Sequence, residues 1–376
     1  MFIELHLIQN FAPSNLNRDD TGNPKDTDFG GVRRARISSQ AIKRAIRKEK
    51  IFAQTTQVPS GERSKWMTRP LVDGFLAAGK NEEDAKKVAI AFVNDYAAKS
   101  DKKDPERASV LIYFSKEEIN AAVAGLLEHW DEAVDAANAK TPKSLKEVVT
   151  ALVKATRTRT SAPDIALFGR MLAENPTLNI DAACQVAHAI STHRVNMDMD
   201  FFTAVDDLQT DSETGAGMMG VTAFNSACFY RYARIDFDQL VRNLDGNEEL
   251  ARKTVKGFLR AALRAIPTGK QNSFAAQNPP SFALAVTRKD GMAWSLANAF
   301  ETPVRAAPEG GFVKNSIEAA DKYWGKLCKI YGSEGIRTCV LTLEDDAPLF
   351  ALKGSEKGTE TAWLDCVLSE LDSREG

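Results

Sequence analysis

The most concentrated chemical signal in the sequence is a block of positive charge near the amino terminus. Residues 31–50 contain eight lysines and arginines and one acidic residue, whereas the whole chain of 376 residues has a net charge of only −2. A localised cationic block in a near-neutral protein indicates a localised anionic partner. From about Ser38 the block reads as a helix, with Ser38 or Ser39 as its N-cap. Lys43 and Arg47 would then lie about 6 Å apart along the helix, close to the spacing of successive phosphates on an extended strand.

Charge alone leaves a second interpretation open, because a basic helix stripe is often only a solvated face. The same choice arises for a second basic stripe on a helix predicted from about Glu249 to Ile266. That stripe has no companion loops, so we expect it to be a solvated face. Its members are Lys253, Lys256, Arg260 and Arg264.

A pair of aromatic residues offers a second kind of contact. Phe201 and Phe202, followed by Thr203, lie in a segment otherwise rich in aspartate and glycine. Adjacent side chains of an extended chain point in opposite directions, so one of the two rings could face a ligand. Exposed aromatic rings stack on nucleobases. The alternative is that both rings anchor a loop to the core.

Carboxylates supply the best enzymatic alternative. Clustered carboxylates can hold Mg²⁺ for phosphodiester hydrolysis, although unsupported pairs more often cap helices or solvate loops. The pairs are Asp26/Asp28, Asp198/Asp200 and Asp206/Asp207.

Two motif matches fail on context. Cys184 and His188 would share a face of a helix predicted over 181–193, with His193 nearby, but no fourth metal ligand is apparent. The glycine pattern at 215–220 lacks the preceding strand and following helix of a dinucleotide site. We therefore expect no cofactor, no metal and no catalytic residue.

Composition bounds the class of protein. Hydrophobic residues make up 43% and charged residues 27% of the chain, typical of a folded protein. Five scattered cysteines without a CxxC pair favour reduced thiols. No apolar run is long enough to span a membrane and no signal peptide is apparent, so we expect a cytoplasmic protein.

The predicted elements form an α+β order. A half-buried strand over 2–9 precedes the basic helix, and a long helical stretch covers about 70–190. A strand rich in β-branched and aromatic residues follows at 221–235, and then the helix at 249–266 and further strands. This order can close a ferredoxin-like sheet that is interrupted by a helical insertion.

Several long motifs, in one order, resemble a known family. The chain is similar to the CasC-type backbone subunit of Cascade, the type I-E CRISPR surveillance complex. The motifs are NLNRDD (15–20), FGGVRRARISSQAIKRAIR (29–47), DIALFGRM (164–171), AHAISTH (187–193), DFFTAVDDL (200–208), FYRYARI (229–235), PTGKQNSFAAQNP (267–279) and LANAFETPV (296–304).

The resemblance implies a fold shaped like a right hand. An RRM-like palm would comprise residues 1–50 and 221–376, helical fingers 51–190, and an extended thumb loop or hairpin 194–220. Copies of the subunit would assemble along the guide RNA, each thumb reaching over the strand and displacing one nucleotide at a regular period. The guide would thus be presented in short segments, and base pairing would read the target.

The resemblance also implies the partners and the site. The partners would be CRISPR guide RNA, target DNA through the guide, other copies of the chain, and other Cascade subunits, namely the guide-end caps and the large and small subunits. The family commonly has a Trp-Phe pair on the thumb where this chain has Phe-Phe. The implied RNA-binding residues are Arg18, Ser38, Ser39, Gln40, Lys43, Arg44, Arg47, Met171, Phe201, Phe202, Thr203, Lys270 and Gln271.

Two hypotheses about activity follow. The first is a non-catalytic RNA-binding scaffold. The second is a metal-dependent ribonuclease that cuts guide-complementary RNA through Asp26 or Asp28, as distant relatives in other CRISPR classes do with a loop aspartate. In a type I-E setting a separate nuclease degrades the target, which favours the scaffold.

Overall fold

The computed structural model describes residues 1–96, 99–139, 145, 160–172, 175–204, 218–289 and 292–372. The strands in this part of the chain are β1 (Phe2–Ser14), β2 (Asp26–Phe29), β3 (Val32–Ile37), β4 (Glu62–Ser64), β5 (Ile112–Phe114), β6 (Cys184–Val186), β7 (Ala189–Ser191), β8 (Asp198–Ala204), β9 (Met218–Asp236), β10 (Phe282–Arg288) and β11 (Ile336–Thr342). The α-helices are α1 (Ser39–Lys48), α2 (Lys50–Thr56), α3 (Thr68–Ala77), α4 (Glu82–Tyr96), α5 (Lys116–Glu128), α6 (Trp130–Asn138), α7 (Pro163–Phe168), α8 (Phe237–Asn243), α9 (Glu248–Arg264), α10 (Gln271–Phe274), α11 (Val313–Tyr331) and α12 (Glu360–Asp372). Short 3-10 turns cover Pro176–Leu178 and Ala297–Phe300.

The chain divides into two compact units. The sheet unit comprises Met1–Phe52, Val186–Arg234 and Phe258–Gly376, and the helical unit comprises Ala53–Gln185 and Ile235–Gly257. The palm, fingers and thumb boundaries implied by the family resemblance stay a prediction.

A large sheet carries the α+β fold. Counted over the described residues it has nine strands, in the order β11-β10-β1-β9-β7-β3-β2, with β6 and β8 also paired to β9. β1 runs antiparallel to β10, with Phe2 opposite Arg288 and Ile8 opposite Phe282. β10 runs antiparallel to β11, and β2, β3, β7 and β9 follow one another in antiparallel pairs. The predicted mixed α+β class is confirmed.

β1 is buried on both faces, not on one as its alternation predicted. Leu5 and Leu7 face residues of α1 and α9, including Ile42 and Phe258. On the opposite side Ile8 packs in a cluster with aromatic residues of the sheet unit, among them Trp324, Tyr230 and Phe300. Helices thus cover both faces of the strand, so its alternating polar residues are buried too.

Those polar residues are paired inside the core, as buried polar groups must be. Glu4 forms an ion pair with Arg288 at 3.0 Å and accepts a hydrogen bond from the Tyr232 hydroxyl at 2.8 Å. His6 Nδ1 lies 2.9 Å from the Tyr230 hydroxyl. Burial, with a smaller effect of the Arg288 charge, lowers the pKa of His6 to about 3, so its imidazole is neutral.

The helical unit has its own core, formed where α3, α4, α5 and α6 pack. Phe75, Phe92, Leu126 and Trp130 are among its buried residues. Ser115 caps α5 by accepting a hydrogen bond from the Glu118 backbone N–H, and Glu118 reciprocates. The predicted helical character is confirmed for this region.

The helix predicted over 181–193 is wrong. The segment forms β6 and β7 instead, and β7 pairs with both β3 and β9. Short apolar runs do not distinguish a buried strand from a helix, and here the sheet supplies the pairing partners. Cys184, His188 and His193 therefore do not share a helix face. No group of three or more metal-ligating side chains occurs among the described residues.

The expectation of five reduced cysteines is wrong for two of them. Cys339 of β11 and Cys366 of α12 form a disulfide, with their Cα atoms 6.3 Å apart. The pair lies 27 residues apart in sequence, so no local spacing indicated it. Cys184, Cys228 and Cys328 form no disulfide. None of the described helices combines the length and apolarity of a membrane span.

Candidate nucleic-acid interface

The basic helix α1 begins where the sequence predicted. Ser38 is its N-cap, and its hydroxyl accepts a hydrogen bond from the backbone N–H of Ala41 at 3.3 Å. The Ser38 backbone N–H donates to the Asn17 side chain at 2.8 Å. Ile42 and Ile46 form the buried face of the helix. Ser38 is itself buried, so its side chain positions the helix.

The three arginines that precede α1 are engaged within the protein. Arg34 is fully buried and donates to the backbone carbonyls of Phe29, Ser191, Phe300 and Glu301 at 2.7–3.2 Å. This side chain fastens the β2–β3 hairpin to its surroundings.

Arg33 and Arg36 are engaged by the same hairpin. Arg33 forms an ion pair with Asp26 at 2.6 Å. Arg36 donates to the Asp26 carbonyl at 3.2 Å. Three of the eight cations of the basic block therefore make contacts within the fold, and Arg44 and Lys48 of α1 are among those that are exposed.

A cleft of about 650 Å³ opens beside α1. Its cations are Arg18, Arg44 and Lys48, and all three are exposed. The acids Asp19, Asp20 and Glu49 also line it, so the cleft is mixed in charge. Lys43, Arg47 and Ser39 are half-buried, and Gln40 is exposed at the start of the helix. Lys43 and Arg47 are not among the residues that line this cleft.

The Asp19 carboxylate stabilises its own loop. It accepts hydrogen bonds from the backbone N–H groups of Thr21 and Asn23, both at 2.9 Å, and from the Thr21 hydroxyl at 2.8 Å. These bonds, that of the Thr21 hydroxyl first, hold the pKa of Asp19 below its usual value.

The loop at 267–271 closes the other side of the cleft. A Cβ atom at Gly269 would lie 2.3 Å from the carbonyl oxygen of Leu16, so only glycine allows this approach. Lys270 follows in a left-handed backbone conformation, with φ of 48°. The Gln271 amide donates to the Pro267 and Ala276 carbonyls at 3.2 and 3.4 Å, so it holds the loop together.

His188 is a residue of this surface that sequence reasoning assigned to a different site. Its Nδ1 accepts a hydrogen bond from the backbone N–H of Ser39, at 3.1 Å, in the first turn of α1. Burial, followed by the charges of Arg36 and Lys25, holds the pKa of His188 below its usual value. The His188 imidazole thus occupies one N–H at the amino terminus of α1. The sequence prediction of RNA-binding residues did not include Lys48 either. Lys48 lines the cleft, and a helical pattern in the sequence does not show a cleft.

The predicted aromatic segment lies on a hairpin of β8 and the start of β9. Every residue of β8 is exposed. The register places Phe201 opposite Val221 and Thr203 opposite Met219. Because alternate residues share a face, Met199 lies on the same face as these. The result is an exposed apolar face on a projecting hairpin. Residues 205–217, which include Asp206 and Asp207, lie outside the described residues.

Phe201 and Phe202 are not equivalent. Phe202 lies on the other face, opposite Gly220, and a Cβ atom at Gly220 would be 2.5 Å from its ring. The ring therefore packs on bare backbone, and its exposure is 37% against 65% for Phe201. Asp198 and Asp200 are on the Phe202 side, which makes that face the less favourable one for a phosphate backbone.

Met171 belongs to the helical unit, whereas the residues above belong to the sheet unit. Its side chain is 83% exposed, the most exposed of the large hydrophobic residues described. Of the carboxylates considered for catalysis, Asp26 is engaged by Arg33, and Asp28 lines a second cleft of about 640 Å³ together with Arg33 and Arg194.

A family model described as CT1975-like protein matches residues 3–365 of the chain. The chain belongs to the CT1975-like family. A search of curated proteins finds no significant match.

Two solved structures that are similar to this CT1975-like protein have related titles. A chain of a structure titled "CRISPR RNA-guided surveillance complex, pre-nicking" is 32% identical, with a TM-score of 0.86. A chain titled "CRISPR RNA-guided surveillance complex" is 27% identical, with a TM-score of 0.76. Each match covers 98% of this chain and 100% of the other. The resemblance inferred from the sequence motifs is confirmed.

Proposed function

We propose that this CT1975-like protein is a non-catalytic, RNA-binding backbone subunit of a type I-E Cascade. It oligomerises along CRISPR guide RNA and presents the guide in segments for pairing with target DNA in antiviral defence. Its partners are the guide, other copies of itself, the guide-end caps and the large and small subunits. In this proposal the sheet unit supplies an RRM-like palm, the β8–β9 hairpin is the thumb, and the protein acts in the cytoplasm.

One observation supports the proposal above the others. The sheet unit carries two exposed surfaces of complementary chemistry: the cations on and beside α1, and the apolar face of the β8–β9 hairpin. A phosphate backbone needs the first and unstacked bases need the second. The chain is similar over 98% of its length to a chain of an RNA-guided complex, and a guide RNA is one ligand that would contact both surfaces.

The ribonuclease alternative has no comparable support. Asp26 accepts two hydrogen bonds from Arg33, at 2.8 and 2.6 Å, and this guanidinium competes with any cation for its oxygen. The ribonuclease alternative is tested by an assay for cleavage of guide-complementary RNA in Mg²⁺. Asp28→Asn would abolish this cleavage if the Asp28 carboxylate were catalytic.

The cationic surface is tested by the salt dependence of guide RNA binding. Each phosphate contact on a single strand contributes about 0.7 to the slope of log affinity against log salt. We expect Lys43→Ala with Arg47→Ala to lower that slope by about 1.4, and Arg44→Ala with Lys48→Ala to lower it similarly.

The matched control is Lys322→Ala with Lys326→Ala. These two exposed lysines have the same spacing on α11 of the same unit. An unchanged slope in both α1 variants, or an equal fall in the control, would contradict the assignment.

A further inference from the structure

Met171 is an exposed residue between two immobilised neighbours. Its side chain is 83% exposed, whereas Arg170 is 4% and Leu172 is 3% exposed. An exposed methionine normally samples many conformations, because it has three rotatable side-chain bonds. Here its backbone is held on both sides, so the side chain is presented from a fixed point.

Arg170 supplies the first attachment. Its guanidinium forms an ion pair with Glu118 at 2.6 Å and donates from Nε to the Leu178 carbonyl at 2.8 Å. Its backbone exchanges two hydrogen bonds with Ile180, at 3.0 and 2.9 Å. These contacts fix both the side chain and the main chain of the residue before Met171.

Glu118 is itself fixed by the helix on which it lies. Its Oε2 accepts a hydrogen bond from the Ser115 backbone N–H at 2.7 Å, within the capping box of α5. Its Oε1 accepts from the Tyr96 hydroxyl at 3.2 Å. The support beneath Met171 is therefore continuous with the core of the helical unit.

Asn179 supplies the second attachment, on the far side of Met171. Its Oδ1 accepts a hydrogen bond from the backbone N–H of Leu172 at 2.6 Å. Before Arg170 the chain turns at Gly169, with φ of 74°, and a Cβ atom there would lie 2.7 Å from the Ile180 carbonyl oxygen. Each residue adjoining Met171 is thus tied to the 178–180 segment.

We infer that Arg170 and Asn179 are positioning residues that hold Met171 for contact with an unstacked base of the guide RNA. The inference rests on the proposed function, from which it takes the ligand. Its own content is that the base contact depends on the clamp. A side chain whose backbone is fixed before binding loses less conformational freedom when it meets its ligand.

Asn179→Ala is the sharpest variant, because it removes one hydrogen bond and leaves no buried charge unpaired. Glu118→Gln is the second variant, since it keeps the shape of the side chain and weakens the ion pair. Removing Arg170 outright would leave Glu118 buried and unpaired, and could unfold the unit.

The first readout does not need RNA. With ¹⁵N-labelled protein, we expect the backbone order parameter of the Met171 amide to fall in both variants, while those of core amides stay in place. An unchanged Met171 order parameter in both variants would overturn the inference, whatever the fate of the proposed function.

The second readout uses guide RNA with 2-aminopurine placed at successive positions. Wild-type protein should give a periodic fluorescence pattern, and Met171→Ala should change the signal at the displaced positions at least twofold. Asn179→Ala should produce the same change with less than a twofold loss of overall RNA affinity. In the Met171→Ala background it should add nothing.

The outcomes separate the two proposals. Absence of any RNA binding by the wild type would contradict the proposed function. Normal binding with no effect of Asn179→Ala, or with an equal effect in the Met171→Ala background, would contradict only the positioning role.

Discussion

The two surfaces of the sheet unit that we propose to contact RNA, α1 and the β8–β9 hairpin, differ in how the fold supports them. α1 packs through a buried face, is capped by Ser38, and donates a hydrogen bond from the Ser39 N–H of its first turn to His188. The described part of β8 has no buried residue and pairs only with β9. A charged surface can lie on a tightly packed scaffold, because electrostatic attraction to phosphates acts at long range and without sequence specificity. An apolar hairpin must project, because stacking acts only on contact.

The largest expected effect is on stability, and it distinguishes the buried arginine of the basic block from an exposed one. Arg34→Met leaves four backbone carbonyls without their donor inside the core. We expect it to cost about 3 kcal/mol in the free energy of unfolding, measured by urea denaturation. Arg44→Met, ten residues on and exposed, should stay within about 0.5 kcal/mol. Equal losses of unfolding free energy in the two variants would contradict this distinction between Arg34 and Arg44.

The next effect distinguishes stacking from charge. We expect Phe201→Ala to weaken guide RNA binding by about 1–3 kcal/mol while the salt slope stays at its wild-type value. Phe202→Ala should also loosen the hairpin, because its ring packs over Gly220. Fluorescence anisotropy titrations at several salt concentrations measure the RNA affinity and its salt slope. A salt slope that falls in the Phe201 variant would contradict the division of roles.

A smaller effect per pH unit comes from His6, which is buried in β1. The pKa of His6 is about 3 in the folded protein against 6.5 ordinarily, so only the unfolded chain takes up this proton as the pH falls. His6 therefore makes stability fall below about pH 6.5, by up to about 1.4 kcal/mol per pH unit, until about pH 3. Above pH 6.5 it contributes no slope.

The measurement is chemical denaturation at pH 7.5, 6, 5 and 4. The variant His6→Gln should show a shallower loss than the wild type, whatever its stability at pH 7.5. Parallel curves for the two proteins would contradict the neutral, buried histidine.

The part of this architecture that sequence reasoning found is the part with strong local signals. The predictions of an N-cap at Ser38 or Ser39, of the helix that follows it and of the strand over 221–235 rest on capping chemistry and periodicity. The structure confirms them, with Ser38 as the N-cap. The segment 181–193 was predicted wrongly because its strands are specified by pairing with β3 and β9, and no window of sequence contains those partners. The Cys339–Cys366 disulfide escaped prediction for the same reason.

The candidate site shows a similar division. The motifs identified the family and α1, but the engagement of Arg33, Arg34 and Arg36 within the fold depends on carbonyls and carboxylates that only the folded chain brings near. His188 reaches the Ser39 N–H across 149 positions of sequence. Lys48 gained its place beside Arg18 from a cleft between segments that are distant in sequence.

The central claim is that the chain forms a multimer along guide RNA, and multi-angle light scattering with the ratio of absorbance at 260 and 280 nm tests it most directly. The purified protein would be mixed with its partner subunits and measured first without RNA and then with guides of increasing length. The account predicts nucleic-acid-containing particles whose mass rises in steps with RNA length. A monomer that ignores RNA even at low salt would contradict it.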